Sequence, residues 1–206
     1  MLLSNLNIVL EDKIIFGDVE ITDNFITQII EKKPVEGLIK HYLVPGFIDL
    51  HIHGSNGFDA MDISRYAIEQ MALSLVKEGT TGFLATTMTQ SITNIENALL
   101  CIQHYHNNQN TQAAQVLGVH LEGPFINKAA AGAQPMDFII NPEVRLFEKF
   151  NQASGQLIKK VSFAPELVGA IPFMHHLNQK GIVGSIAHTK ATYQDVLKAI
   201  ELGVVS

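Results

Sequence analysis

The chain has 206 residues, of which 47% are hydrophobic and 17% are charged, and its formal net charge is -6. This length and composition allow one or two buried cores, and the negative charge argues against nucleic acid or an acidic membrane surface as a partner. Neither a membrane-spanning run nor a secretory signal pattern is expected from the sequence. The single cysteine, Cys101, excludes an intrachain disulfide and fits a reducing cytoplasm.

The first predicted domain, residues 1–43, consists of short β-strands. β-branched and apolar residues fill positions 2–10, 13–21 and 25–31, and acidic or amide residues mark the turns between them. Three such strands are too few for an independent sheet, so we expect them to pair with other strands of the protein.

The second predicted domain, residues 44–206, alternates strands with amphipathic helices. Thr93 and Glu96 predict a capping box for the second helix, and Thr192 and Asp195 predict one for the fifth. The predicted helices lie near residues 64–78, 93–106, 142–150, 172–180 and 192–202, and the strands between them at 44–53, 80–87, 116–122, 157–164 and 182–187.

Strands that alternate with helices predict right-handed crossovers and a parallel sheet. Five such units predict an α/β fold, a (β/α)8 TIM-like barrel that is truncated after about five β/α units. The alternative is an open, doubly wound sheet, but no Gly-x-Gly-x-x-Gly follows any predicted strand, which weakens a nucleotide-binding version.

The apolar strand at residues 44–54 ends in His51 and His53, which alternate with Ile52 and therefore share one face. Later strands end near Glu122 and His188, and His120 shares a face with Glu122. In a barrel, the active site lies at the carboxyl ends of the strands. Each residue taken alone has a simpler interpretation, a histidine bonded to a backbone carbonyl or a carboxylate in an ion pair. Four candidate ligands at corresponding strand ends favour a metal site instead.

The sequence also resembles a known family. The motifs that carry the resemblance are Val-Pro-Gly-Phe-Ile-Asp-Leu-His-Ile-His-Gly at 44–54, Gly-Val-His-Leu-Glu-Gly-Pro-Phe at 118–125, Gly-Ala-Gln-Pro at 132–135, Ala-Pro-Glu at 164–166 and Ala-His-Thr at 187–189. They are similar to those of the N-acetylglucosamine-6-phosphate deacetylases of the amidohydrolase superfamily. The His-Leu-Glu-Gly-Pro segment is the most specific, whereas His-x-His marks only the superfamily.

The resemblance implies a metal-dependent barrel and a small β-sandwich to which residues 1–43 contribute the N-terminal strands. It implies that Glu122 and His188 bind one divalent ion, zinc or iron, and that His51 and His53 bind a second ion in binuclear members. The loop positions that it assigns to the amino-sugar substrate are Ala133 and Gln134. A homodimer is also implied.

Some positions depart from the family pattern. Histidine is frequent where this chain has Gln134, and Asp or Asn is common where it has Lys190. A further metal-binding histidine and the catalytic aspartate of the family would follow Ser206, so we expect no catalytic residue within the chain and an inactive 206-residue fragment.

The resemblance therefore predicts hydrolysis of N-acetylglucosamine 6-phosphate to glucosamine 6-phosphate and acetate by the complete protein. One alternative is another amidohydrolase that acts on a cyclic amide. Such enzymes usually rely on a carboxylated lysine, so Glu122 favours the deacetylase. The other alternative is an inactive half-barrel that associates through its open edge or binds metal weakly.

Overall fold

A computed structural model describes residues 1–37 and 41–206, which divide into two units, Met1–Gly46 and Phe47–Ser206. Residues 38–40, which belong to the first predicted domain, lie outside the described residues. None of the helices in the described residues is both long enough and apolar enough to cross a membrane.

The first unit contains one four-stranded sheet with the order β3-β2-β1-β4. The strands are β1 (Leu2–Val9), β2 (Ile14–Thr22), β3 (Phe25–Glu31) and β4 (His41–Leu43). The first three pair as antiparallel hairpins, and β4 lies parallel to β1. Asp23 and Asn24 both have positive φ, at 51° and 67°, as the tight turn between β2 and β3 requires. The predictions of β1, β2 and β3 are confirmed, whereas β4 was not predicted.

The second unit alternates strands and helices along Phe47–Ser206. Its strands are β5 (Phe47–Ile52), β6 (Gly54–Ser55), β7 (Phe58–Asp59), β8 (Thr80–Thr86), β9 (Gln115–Glu122), β10 (Ile158–Phe163) and β11 (Val183–Ile186). Its helices are α1 (Arg65–Leu75), α2 (Ile92–His106), α3 (Val144–Ala153), α4 (Ala170–Gln179) and α5 (Tyr193–Glu201). Short 3₁₀ turns cover Val76–Glu78, Lys128–Ala130 and Met136–Phe138.

Five of these strands form a parallel sheet in the order β11-β10-β9-β8-β5, and β6 pairs with β7 in a separate hairpin. Each strand of this sheet pairs with the sheet strand that follows it in sequence, so the strand order runs in one direction from β5 to β11. A doubly wound sheet instead reverses its strand order at a switch point. The prediction of a (β/α)8-type barrel, represented here by its first five strands, is therefore confirmed.

Helices cover the sheet and bury an aromatic core against it. Phe83, Phe147, Phe150, Phe163 and Phe173 are all fully buried. The rings of Phe163 and Phe173 lie edge to face with their centroids 5.7 Å apart. Burial of each large side chain contributes about 1.5 to 3 kcal/mol, so this core holds the strands, and with them the strand ends, in register.

Helix capping agrees with the sequence at α5 and differs at α2. Thr192 and Asp195 form the predicted capping box at α5. The prediction at α2 is wrong, because the side chain of Ser91 accepts a hydrogen bond from the backbone N–H of Asn94 and begins the helix two residues before Thr93. A helix has one N-cap, so the earlier of two competing hydroxyl residues leaves the later one inside the first turn.

The strand that carries His51 was predicted to be buried and is not. Phe47, Ile48 and Leu50 are 63%, 60% and 53% exposed. Within the described residues, β5 pairs only with β8, on one of its two sides. An apolar run indicates a strand that can be covered on both faces, but periodicity cannot show whether a neighbouring strand is present.

Candidate metal centre

The predicted ligands come together at the carboxyl ends of three strands of the sheet. His51 is near the end of β5 and His53 follows it directly, while Glu122 is the last residue of β9. His188 lies two residues after β11. Since parallel strands present their carboxyl ends at one edge, residues that are far apart in sequence meet there. The prediction that His51 and His53 share a face is confirmed, because both rings are directed toward Glu122.

The Glu122 carboxylate is the centre of this group. The Nε2 atom of His53 lies 3.1 Å from Oε2 of Glu122, and the Nε2 atoms of His51 and His188 lie 3.8 Å and 3.5 Å from Oε1. Ligand atoms around one tetrahedral ion with bonds of about 2.1 Å lie about 3.4 Å apart. His51, His53 and Glu122 offer ligand atoms within 4.8 Å of one another, so small side-chain movements would bring them around a divalent ion.

Two of the histidines are oriented by backbone carbonyls. Nδ1 of His53 lies 3.2 Å from the carbonyl oxygen of Thr86, and Nδ1 of His188 lies 3.0 Å from that of Ala130. A carbonyl oxygen only accepts, so each Nδ1 carries the proton. In the neutral ring Nε2 then has a lone pair that faces Glu122, whereas in the protonated ring of His53 Nε2 also carries a hydrogen and donates it to the carboxylate. These contacts have the form of the outer hydrogen bonds that fix the tautomer of metal-binding histidines.

His51 is oriented by a side chain instead. Its Nδ1 lies 3.1 Å from Nδ1 of His120, whose Nε2 lies 2.8 Å from the hydroxyl oxygen of Ser162. Burial, followed by the charge of Lys160, lowers the pKa of His120 to about 3, so its ring is neutral at ordinary pH. With Nε2 of His51 unprotonated, His51 donates through Nδ1 to His120, and His120 donates through Nε2 to Ser162.

The charges in this group favour an ionised carboxylate. Burial raises the pKa of Glu122, but the hydrogen bond from His53 and the nearby histidines outweigh this effect and lower it. The hydrogen bond to Glu122 raises the pKa of His53 against the opposing effect of burial. Burial lowers the pKa of His51. A cation that binds here would therefore meet an anionic oxygen and would displace a proton from His53.

Gln134, one of the predicted substrate contacts, is buried and bonded on both sides of its amide. Its Nε2 donates to Oε2 of Glu122 at 2.7 Å, and its Oε1 accepts from the backbone N–H of Thr89 at 2.7 Å. The carboxylate can only accept and the N–H can only donate, so these neighbours fix the orientation of the amide. Ala133, the other predicted contact, is exposed in the same loop.

Sequence reasoning missed the groups that orient these ligands. It placed His120 beside Glu122 on one face but gave it no role, and it assigned Gln134 to the substrate alone. The contributions of Thr86 and Ala130 come from backbone oxygens, which leave no residue-type signal. Together, three imidazole nitrogens and one buried carboxylate are a donor set that suits a divalent ion such as zinc or iron.

Comparison with known proteins agrees with this arrangement. Residues 42–205 match the amidohydrolase family. The chain belongs to the amidohydrolase family. It is 39% identical to the N-acetylglucosamine-6-phosphate deacetylase of Lysinibacillus sphaericus over 90% of this chain and 49% of that protein. It is also 39% identical to the enzyme of the same name from Bacillus subtilis (strain 168), over 93% of this chain and 51% of that protein. The chain thus spans about half the length of the curated relatives it matches.

Solved structures show the same fold. The N-acetylglucosamine-6-phosphate deacetylase of Thermotoga maritima superposes with a TM-score of 0.84 at 32% identity, over 99% of this amidohydrolase chain and 53% of that one. The corresponding enzyme of Mycobacterium smegmatis superposes with a TM-score of 0.89 over 100% of this chain and 54% of that one. At 22% identity the latter likeness concerns the fold alone.

Proposed function

We propose that the complete protein is a metal-dependent N-acetylglucosamine-6-phosphate deacetylase, which hydrolyses its substrate to glucosamine 6-phosphate and acetate. The observation that carries this proposal is the convergence of three imidazole Nε2 atoms on the buried Glu122 carboxylate at the strand ends of an amidohydrolase barrel. The similarity to deacetylases of two bacilli supports the choice of substrate.

Each ligand has a proposed role at this centre. Glu122 and His188 hold one divalent ion, zinc or iron, and His51 and His53 hold a second ion or complete the first site. When bound, the ion would supply a hydroxide nucleophile near neutral pH and would polarise the acetamide carbonyl. The histidines keep their Nε2 lone pairs available because their Nδ1 atoms are engaged elsewhere. Glu122 supplies the negative charge that the cation requires.

The loop after β9 is the proposed sugar-binding segment. Ala133 is exposed beside the ligands, so its backbone is accessible to an amino sugar. Glu122 uses one of the two amide hydrogens of Gln134, and we propose that the second is directed to the substrate. The family resemblance assigns proton transfer to an aspartate that has no matched position in residues 1–206.

The wider organisation of the protein is proposed on the same basis. Residues 1–43 form strands of a small β-sandwich, and residues 44–206 form the first part of the barrel. The protein is a cytoplasmic homodimer whose partner is a small amino-sugar phosphate, and it binds neither nucleic acid nor a membrane. The negative net charge is consistent with the absence of nucleic-acid binding.

The test is an assay of the polypeptide encoded from Met1 to its stop codon. We expect stoichiometric divalent metal and acetate release from N-acetylglucosamine 6-phosphate. Glu122→Gln should remove most of the bound metal and the activity, because an amide is a weak metal ligand and carries no charge. Glu143→Gln, which changes an exposed carboxylate at the start of α3, is the matched control and should change neither.

Substrate choice distinguishes the remaining possibilities. A preference for N-acetylgalactosamine 6-phosphate, the substrate named for a relative from Escherichia coli O157:H7, would change the sugar but keep the reaction. Hydrolysis of a cyclic amide alone would refute the deacetylase. Retention of stoichiometric metal by Glu122→Gln would refute the role of Glu122.

A further inference from the structure

Glu166 lies in the loop after β10 and connects the loop after β9 with the residues that follow His188. Its Oε1 accepts from Nδ2 of Asn127 at 2.8 Å and from the backbone N–H of Lys190 at 2.7 Å. Its Oε2 accepts from the hydroxyl group of Thr189. One carboxylate therefore ties the loop after β9 to the two residues that follow His188.

The same segments hold His188 itself. The backbone N–H of Asn127 donates to the carbonyl oxygen of His188 at 2.9 Å. The side chain of Asn127 also accepts from Ala129 and begins the 3₁₀ turn that ends at Ala130. The carbonyl oxygen of Ala130 accepts from Nδ1 of His188 at 3.0 Å. The backbone and the ring of His188 thus both depend on a loop that Glu166 anchors.

His188 needs this support because its backbone is strained. Its φ is 48°, in the left-handed region that residues with a Cβ rarely adopt. Such a conformation costs on the order of 1 kcal/mol or more and persists only where the surroundings impose it. Without the contacts to Thr189, Lys190 and Asn127, the backbone of His188 would relax and move Nε2 away from Glu122.

We propose that Glu166 is a positioning residue that holds His188 in the geometry required to bind the metal ion. This proposal rests on the proposed metal centre, and it gives a role to the Ala-Pro-Glu motif at residues 164–166. Glu166 acts through His188 and through the loop at Asn127, not through contact with the ion or the substrate.

A carboxylate suits this position better than an amide. The Glu166 carboxylate accepts three hydrogen bonds and donates none. An amide oxygen could still accept from Asn127 and Lys190, but its NH2 group would then face the hydroxyl group of Thr189, which would have to accept instead of donate. The stronger bonds that a negative charge gives all three donors would also be lost. Burial raises the pKa of Glu166, but the hydrogen bonds from Thr189, Lys190 and Asn127 outweigh this effect and lower it, so the group is ionised at neutral pH.

The experiment measures Co²⁺ affinity by competition with a chelator, together with the visible spectrum of bound Co²⁺, which reports its coordination. The protein is the polypeptide encoded from Met1 to its stop codon, as wild type, Glu166→Gln, His188→Ala and the double variant. Glu148→Gln is the matched control, since Glu148 also accepts from several donors but pairs with His176 and Lys180.

We expect Glu166→Gln to weaken Co²⁺ binding about 10- to 100-fold, the usual effect of removing a group that orients a metal ligand. In the His188→Ala background the same change should have no further effect, because a residue that acts through His188 has nothing left to position. The Co²⁺ spectrum should shift toward that of His188→Ala, and Glu148→Gln should match the wild type. Unchanged affinity, or an equal loss in both backgrounds, would overturn the proposal.

A second pair of variants covers the case in which Glu166→Gln fails to fold. Thr189→Val removes one donor to Glu166 at nearly constant volume, and Thr189→Ser keeps the hydroxyl group. Weaker Co²⁺ binding only in Thr189→Val supports the proposal, and equal binding in both refutes it. Acetate release is measured separately: metal binding that responds to Glu166 without deacetylation would refute the proposed function and leave the positioning role intact.

Discussion

Replacing Gln134 by leucine tests whether this residue supports Glu122. The two side chains have similar volumes, so the change removes two hydrogen bonds and creates little space. The wild-type amide donates to Oε2 of Glu122 and accepts from the backbone N–H of Thr89, both at 2.7 Å, and only 4% of its surface is exposed. Leucine would leave a buried N–H and a buried carboxylate each without one partner.

The expected loss of stability follows from these two contacts. A buried N–H without a partner costs about 1 to 3 kcal/mol, and a hydrogen bond to a charged group contributes about 1.5 to 3 kcal/mol. The buried leucine side chain offsets part of this loss, so we expect the free energy of unfolding to fall by about 3 kcal/mol. Since Glu122 also loses the donor that orients it, metal affinity should fall about 10- to 100-fold.

Urea unfolding followed by circular dichroism at 222 nm measures the first quantity, because all the helices of the described residues lie in the barrel unit. A chelator competition measures the second. Gln109→Leu is the control, since the amide of Gln109 bridges the backbone N–H and carbonyl of Val116 at 2.6 Å and 3.2 Å. Both variants should lose stability, but only Gln134→Leu should lose metal affinity. Unchanged stability and affinity in Gln134→Leu would refute the support assigned to Gln134.

Two further predictions concern backbone geometry and pH. Gly123→Ala should lower the free energy of unfolding in urea by about 2 kcal/mol or more, because φ is 75° and an added Cβ would lie 2.0 Å from the hydroxyl oxygen of Thr89. Gly57→Ala, also at positive φ but with no atom within 4 Å of the added Cβ, is the control. Equal losses of stability in the two variants would contradict the steric explanation. Burial raises the pKa of Glu148, but hydrogen bonds from His176 and Lys180 outweigh this effect and lower it, so its stabilisation is present above about pH 4.5 and is lost as pH falls through the folded pKa. Glu148→Gln should cost about 0.5 to 1 kcal/mol at pH 7 and progressively less as the pH falls below about 4.5, and a difference that is constant with pH would contradict this assignment.

The candidate ligands could be predicted because they depend on local periodicity. His51 and His53 share a face because strand side chains alternate, whatever the rest of the fold. Glu122 and His188 are at strand ends that the alternation of strands and helices already located, and parallel strands place those ends on one edge. The edge of the sheet at which these residues meet was therefore predictable without knowledge of any contact.

The support of that site could not be predicted in the same way. The substrate role assigned to Gln134 stays a prediction, but its hydrogen bonds with Thr89 and Glu122, at sequence separations of 45 and 12 residues, were not predicted. Nothing in the local pattern shows that an amide donates a hydrogen bond to a carboxylate on another segment. Such a contact depends on which loops approach one another, and sequence order alone does not encode that.

The sequence by itself determined the succession of strands and helices and the chemical identity of the candidate ligands, because both follow from residue type and short-range spacing. Only the tertiary structure decided which nitrogen of each histidine is directed to Glu122, since a backbone carbonyl or His120 on another segment engages the other nitrogen. It also decided the exposure of β5 and the contacts of Glu166 with Asn127, Thr189 and Lys190. These properties require contacts between distant segments, which form only when the core brings the strand ends together.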